Sequence, residues 1–326
     1  MTDFALPMAF QRGIENLAAD YSGRRLASCA EKISGNYIAH KPSRSVIADG
    51  ADVAAYLTAR SPATYAACAA ALSALAARAP SFAPRGVLDI GAGPGTASWA
   101  AVERWPNIEA VSMLDENKEM LSAGATLCAG ADHPALRNAK LNRAMISGAI
   151  EAERYDLVLA SYAIGELAKS ELRATLQTLW GLAQGALVLV EPGTPEGFER
   201  IRRAREILVE AGAEIAAPCP HSGPCPIRTP DWCHFGQRLP RSRDHMRVKG
   251  AKLPFEDEKF SYLALTRDAS LESTRARIID RPRLEKFGME FRLCGESGIS
   301  DRLILKRDKP AYRAVARKKW GDTLPI

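Results

Sequence analysis

Val87-Leu88-Asp89-Ile90-Gly91-Ala92-Gly93-Pro94-Gly95-Thr96 reads as a buried strand, a glycine-rich turn and the start of a helix. Glycines allow a sharp turn and a close approach of backbone to ligand at the carboxyl end of a strand, where open α/β sheets bind cofactors. Such a site needs an acid at the end of the next strand to hold ribose hydroxyls, about 20 residues further on. Asp115 closes the run Val111-Ser112-Met113-Leu114 and meets that need. Outward from this motif, short apolar runs alternate with amphipathic segments. Strands are expected at 87–90, 109–114, 155–160 and 186–190, with helices starting near Thr96, Glu116, Ser170 and Glu196. That alternation predicts a doubly wound, mostly parallel sheet, to which the run 260–266 could return as a further strand.

Asp89 ahead of the loop, Pro94 within it and the lack of a G-x-x-G helix start resemble class I S-adenosylmethionine-dependent methyltransferases. The resemblance implies S-adenosylmethionine as the cofactor the fold can take. The candidate cofactor residues are Asp89, Gly91, Gly93, Gly95, Asp115 and, after the fourth strand, Ser161. No catalytic residue is evident. The stretch from Ala160 to Leu167 lacks the Asn/Asp-Pro-Pro-aromatic tetrad of nucleic-acid amino-methyltransferases, and no cysteine stands where a cytosine methyltransferase keeps its nucleophile. Glu191 after the fifth strand either lines the cleft or serves the turn it sits in.

The flanks divide the 326 residues further. Residues 1–83 are rich in Ala and Leu at helical spacing and read as a helical N-terminal subdomain, with Ser61-Pro62 as the N-cap and first position of its last helix. Residues 84–270 form the methyltransferase-like domain with a Cys-rich insertion at 216–255, and 271–326 a small, basic, β-rich module. Cys29, Cys68 and Cys128 fall in helical patterns and read as small buried hydrophobes. No apolar run approaches the roughly 18 residues of a membrane span, and the first residues lack the basic-then-apolar order of a signal peptide. A cytoplasmic location, cytosolic or nucleoid-facing, without a membrane partner is therefore expected.

Inside the insertion, Cys219, Cys225 and Cys233 lie within fifteen residues of Pro- and Gly-punctuated chain, with His221 and His234 beside them. A loop that buries so little apolar surface needs a staple, and thiolates bind soft metals; four close either a zinc or an iron–sulfur site. The Cys-x5-Cys-x7-Cys spacing matches neither zinc fingers nor ferredoxins, so it leaves both metals open. Cys294 is the distant thiol still available.

The net charge of +6 is concentrated. Arg238, Arg241, Arg243, Arg247, Lys249 and Lys252 stand against Asp244 alone, and Arg302, Lys306, Arg307, Lys309, Arg313, Arg317, Lys318 and Lys319 against Asp308 alone. Taking these fourteen cations and two acids from the totals of 44 and 38 leaves 30 and 36, so the rest of the chain is net negative. Two positive segments on a negative body suggest a polyanionic partner, most simply nucleic acid.

Residues 56–65 (YLTARSPATY), the glycine loop, 161–167, 190–198 (VEPGTPEGF), 219–235 and 317–322 (RKKWGD) together resemble the ribosomal small-subunit methyltransferase-like family, the bacterial relatives of mitochondrial methyltransferase-like protein seventeen. The resemblance covers nearly the whole chain and makes the cytoplasmic location a bacterial one. It implies an assembly or translation factor that binds the small ribosomal subunit and its rRNA, and a [4Fe-4S] cluster on Cys219, Cys225, Cys233 and Cys294, with Zn2+ as the alternative. It leaves methyl transfer to the rRNA as a rival activity. The RNA-binding residues expected are Arg238, Arg241, Arg243, Arg247, Lys249, Arg317, Lys318 and Lys319.

Overall fold

A computed structural model describes residues 4–38, 46–147, 150, 153–267, 270–272 and 276–324. Four helices come first: α1 (Met8–Ala18), α2 (Gly23–Ile38), α3 (Gly50–Ala59) and α4 (Ser61–Arg78). Asp49 caps α3 by accepting from the Asp52 backbone N–H. Ser61 is not the N-cap of α4; Arg60 holds that place, and Ser61 is the fully buried first helical residue, followed by Pro62 where a missing N–H costs nothing. α4 is buried on nearly every side, as its Ala-rich sequence requires of a helix clamped between layers.

The main sheet is built from β1 (Gly86–Ile90), β2 (Ala110–Asp115), β3 (Lys140–Arg143), β4 (Tyr155–Ser161), β5 (Ala183–Pro192), β6 (Glu214–Ala217), β7 (Phe235–Pro240) and β8 (Phe255–Thr266). Its order is β3-β2-β1-β4-β5-β8-β6. Strands β1 to β5 pair in parallel, and β8 enters antiparallel between β5 and β6. This is the class I methyltransferase arrangement. The twelve residues of β8 serve two ladders: its second half pairs β5 and β6, while its first half pairs β7. Order reverses between β1 and β4, which opens a crevice at the carboxyl ends of those strands.

Helices α5 (Thr96–Arg104), α6 (Lys118–Ala129), α7 (Pro134–Arg137), α8 (Leu172–Leu182) and α9 (Pro195–Glu210) flank the sheet. Alternate residues of each strand face opposite layers: Val87, Met113, Leu159 and Val188 share a core with α1 to α6, while Leu88, Val158 and Leu189 share one with α8 and α9. The short α10 (Arg243–Lys249) joins β7 to β8 and lies against α2 and α3. A second, antiparallel sheet follows, made of β9 (Ala276–Ile278), β10 (Arg283–Leu284), β11 (Gly288–Gly295), β12 (Gly298–Leu305) and β13 (Thr323–Leu324), with α11 (Lys309–Val315) packed on it. It has its own small core around Phe291 and Ile278. No helix among the described residues is long and apolar enough to cross a membrane.

Candidate functional site

The glycine loop turns between β1 and α5 under tight constraints. Gly91 has φ +65°, and a Cβ there would stand 2.5 Å from that of Ala163; Gly95 has φ +85° and would meet the Met113 sulfur at 2.7 Å. At Gly91 a side chain would collide with the fixed Ala163 methyl, and at Gly95 the left-handed backbone itself favours glycine. The cleft it borders, about 250 Å³, is lined by Tyr56, Thr64, Gly93, Asp115, Ser161 and Glu166 among others. Asp115 accepts from the Gly93 N–H at 2.7 Å and the Asn117 N–H at 2.8 Å. Burial raises its pKa against the pull of those two donors. Asp89 lies below the loop rather than on the lining. It is fully buried, accepting from the Ser98 backbone N–H at 3.1 Å and hydroxyl at 2.8 Å, and desolvation pushes its carboxyl up to about 7. Ser161 bonds the buried Cys68 thiol.

Just beyond Ser161, Tyr162 adopts φ +55°, the one non-glycine residue described with a positive φ. Its hydroxyl donates to Glu258 on β8 at 3.0 Å, and Arg60 reaches the same carboxylate at 3.4 Å. Tyr162, which lines the cleft, is thus tied to a polar network with Arg60 at the start of α4 and Glu258 on β8. Glu191 is buried away from the cleft, paired with Arg200 at 2.7 Å and accepting from the Gly165 N–H at 3.3 Å, and so belongs to the turn.

The four cysteines singled out from the sequence come together. Cys219 follows β6, Cys225 lies in the loop, Cys233 precedes β7 and Cys294 is on β11; all four line one cavity of about 40 Å³. The Ser261 hydroxyl fixes the Cys233 carbonyl at 2.8 Å. Burial and the neighbouring thiols raise the pKa of Cys225 and Cys233, and that of Cys294 to about 12. No group of three or more His, Cys, Asp or Glu among the described residues is arranged to hold a single metal ion. His221 and His234 adjoin the cavity region with unpartnered ring nitrogens, and His234 stacks on Trp232 and meets Trp320 edge-on.

Two arginines absent from the sequence reading frame this cavity. Arg205, on α9 and 4% exposed, donates to the carbonyls of His221, at 3.0 Å, and Gly223. Arg277, on β9 and 5% exposed, donates to those of Pro218 and Gly321, each at 2.6 Å. Arg78 joins them at the Ala216 carbonyl, 3.0 Å away, and burial together with Arg277 lowers its pKa. Neither Arg205 nor Arg277 has a carboxylate partner among the described residues, and the Arg205 Nε is buried without an acceptor. The signal was present for Arg205, a cation within the apolar stripe of Ile201, Ala204 and Leu208.

The first basic segment does not stand free. Arg238 forms a two-pronged bond with Asp257 at 2.8 and 3.0 Å, Arg241 and Lys249 converge on Glu256 at 2.6 and 2.8 Å, and Arg247 pairs with Asp244 at 2.6 Å. The two acids on β8, Glu256 and Asp257, lie beyond Lys252 in sequence but pair with three of the segment's six cations, and Asp257 is shared with Arg281. Arg243 remains exposed without an ion pair among the described residues. In the second segment Arg317 and Lys319 are exposed and Lys318 is half-buried, and no carboxylate pairs with their side chains among the described residues.

A family model described as mitochondrial small ribosomal subunit Rsm22 matches residues 50–325. The chain belongs to the Rsm22 family. It is 28% identical over 293 residues to the human protein named ribosome assembly protein METTL17, mitochondrial, covering 83% of this chain and 62% of that one. It is 27% identical over 292 residues to Rsm22-cox11 tandem protein 2, mitochondrial, of Schizosaccharomyces pombe, covering 74% and 38%. The chain therefore spans less than two thirds of the length of these Rsm22 relatives. Solved structures that it resembles include magnesium protoporphyrin IX methyltransferase from Synechocystis with bound SAM (TM-score 0.41, 15% identity, 63% of this chain and 80% of that one) and precorrin-6y C5,15-methyltransferase from Geobacter metallireducens (TM-score 0.40, 17% identity, 62% and 87%). Those likenesses are distant, and the fold of this Rsm22 member rests on its strand order.

Proposed function

We propose that this Rsm22 member is an assembly factor of the small ribosomal subunit, acting in the bacterial cytoplasm, that binds rRNA through its C-terminal basic module. In this reading a [4Fe-4S] cluster on Cys219, Cys225, Cys233 and Cys294 ties that module to the methyltransferase-like domain. The observation that carries the reading is the cavity where these four thiols meet beside two buried, unpaired guanidiniums. Buried cations without anions are expensive, and four thiolates around a metal centre supply the missing negative charge. Four thiolates can close either a single zinc ion or a cuboidal cluster, and metal content tells the two apart. Arg205 and Arg277 balance the charge, and their bonds to loop carbonyls keep the cysteines facing inward. When bound, the cluster supplies a covalent crosslink and a one-electron couple.

The test is anaerobic purification with iron, sulfide and zinc analysis and a visible spectrum, on the wild type and Cys294→Ser. About four irons per chain, lost in the variant, are expected; stoichiometric zinc overturns the cluster. Cosedimentation with small-subunit particles tests the partner, and its absence across salt concentrations overturns the RNA reading.

The second reading, an S-adenosylmethionine-dependent rRNA methyltransferase, is favoured by the glycine loop, which leaves the cleft open beside Asp115. The backbone N–H groups and Asp115 would hold the cofactor, which supplies an electrophilic methyl group. Micromolar binding by calorimetry, reduced at least tenfold in Asp115→Ala by loss of charged hydrogen bonds, keeps this reading; no binding at millimolar cofactor removes it.

A further inference from the structure

The C-terminal module turns apolar side chains to solvent in a way the larger domain does not. Seven large hydrophobic side chains stand exposed among the described residues, and three of them, Leu284, Phe287 and Leu303, belong to this module. Phe287, 67% exposed, occupies the turn between β10 and β11. This turn is held in place. The Glu285 N–H donates to the Gly288 carbonyl at 2.9 Å and the Lys306 N–H to the Phe287 carbonyl at 2.8 Å. The Lys306 ammonium donates to the carbonyls of Glu285 and Lys286, each at 3.2 Å. A Cβ on Gly288 would stand 2.4 Å from the Ile304 carbonyl oxygen, so the turn lies flush on β12. The ring is presented on a rigid support, and little conformational freedom is left to lose on binding.

Cations stand beside it. Lys286 Nζ is 5.2 Å from the ring centroid, and Arg307 follows Lys306, whose N–H bonds the Phe287 carbonyl; Arg307, and further along the module Arg302 and Lys309, are exposed without carboxylate partners among the described residues. Of the nearby acids, Glu290 faces Arg283 at 3.5 Å and Asp308 caps α11, while Glu285 and Asp301 are exposed. A fixed aromatic face beside surplus cations fits a chain that offers free planar rings together with phosphates. Single-stranded RNA offers both, whereas a duplex has its base faces already stacked. We infer that the β10–β11 turn is a contact for unpaired RNA nucleotides, with Phe287 stacking on a base and Lys286 and Arg307 meeting the flanking phosphates. The inference rests on the RNA-binding reading above and adds which RNA form is recognised and by which residues.

The experiment is fluorescence anisotropy of the full, metal-loaded chain with a labelled unstructured 12-nucleotide RNA and with a labelled RNA duplex of equal length. Phe287→Ala is expected to weaken single-strand binding about tenfold and leave duplex binding unchanged, while Phe287→Trp retains or tightens the single-strand complex. Because the side chain is exposed, circular dichroism should match the wild type. Equal affinities of wild type and Phe287→Ala for the single strand overturn the inference, as does an equal loss on both RNAs. Self-association abolished by Phe287→Ala with RNA affinity intact would assign the tip to a second copy of the chain, and also overturns it. Failure of the wild type to bind either RNA is a different result, which removes the RNA-binding reading itself.

Discussion

The cofactor cleft and the cysteine cavity differ in how far each is satisfied by the protein alone. In the cleft, Asp115 already bonds the Gly93 and Asn117 N–H groups, and beside it Tyr162 and Arg60 both donate to Glu258. In the cavity, four thiols, that of Cys294 buried and the others half-buried, stand near Arg205 and Arg277, which have no carboxylate partner among the described residues. A ligand entering the cleft would exchange one set of hydrogen bonds for another. One entering the cavity would remove a charge imbalance. The first site is satisfied by the protein's own groups, whereas the second would be completed by the proposed cluster.

The largest test of this contrast is removal of the fourth thiol. A structural metal centre contributes binding energy on the order of 10 kcal/mol, so Cys294→Ser is expected to free the module beyond residue 276 as the first fragment in limited proteolysis. Saturating S-adenosylmethionine should leave the wild-type digestion pattern unchanged. Identical patterns for the variant and wild type would erase the difference between the sites.

A smaller effect comes from the buried pH-sensitive carboxyl under the loop. Asp89 has its pKa raised from 3.8 to about 7, so between those values the folded chain holds a proton that the unfolded chain releases. Stability from this residue is therefore full below pH 4 and falls as pH rises to about 7, by about 4 kcal/mol at most. Asp89→Asn should flatten that fall, read as the difference between wild-type and variant urea midpoints at pH 5 and pH 8. Parallel midpoints at both values would mean the carboxyl is not held protonated.

The finest test separates charge balance from packing. In the metal-loaded protein, Arg277→Met is expected to destabilise by about 3 kcal/mol, and after chelation the same change should be neutral or stabilising. Urea titrations of both forms read this directly. An equal loss in both would make Arg277 a packing residue only.

Much of the fold was legible because its central strands are apolar runs that need no partner to be recognised. β1, β2, β4 and β5 lie within a few residues of their expected places. β3 was missed because Lys140-Leu141-Asn142-Arg143 is an edge strand with one inward residue, and β7 because its pattern is broken by Gly236 and Pro240. β8 begins five residues earlier than the apolar run from Phe260, since its first half, Phe255-Glu256-Asp257-Glu258-Lys259, is charged and pairs only with β7. The four cysteines were legible as a set because thiols are rare and their chemistry needs company. The arginines around them were not, since Arg78, Arg205 and Arg277 come together only through the fold. The same limit applied to charge: a basic run says nothing of acids on the adjacent strand, and Glu256 and Asp257 decide the field of Arg238, Arg241 and Lys249.

The split origin of the cysteine cavity also imposes an order in time. Synthesis runs from the amino end, and domains fold as they emerge. Cys219, Cys225 and Cys233 leave the ribosome with the sheet that anchors them, while Cys294 and Arg277 follow only with the second sheet. During that interval the nascent chain carries three of the four thiols without the fourth, so the proposed cluster would be completed only after the carboxyl-terminal module has docked.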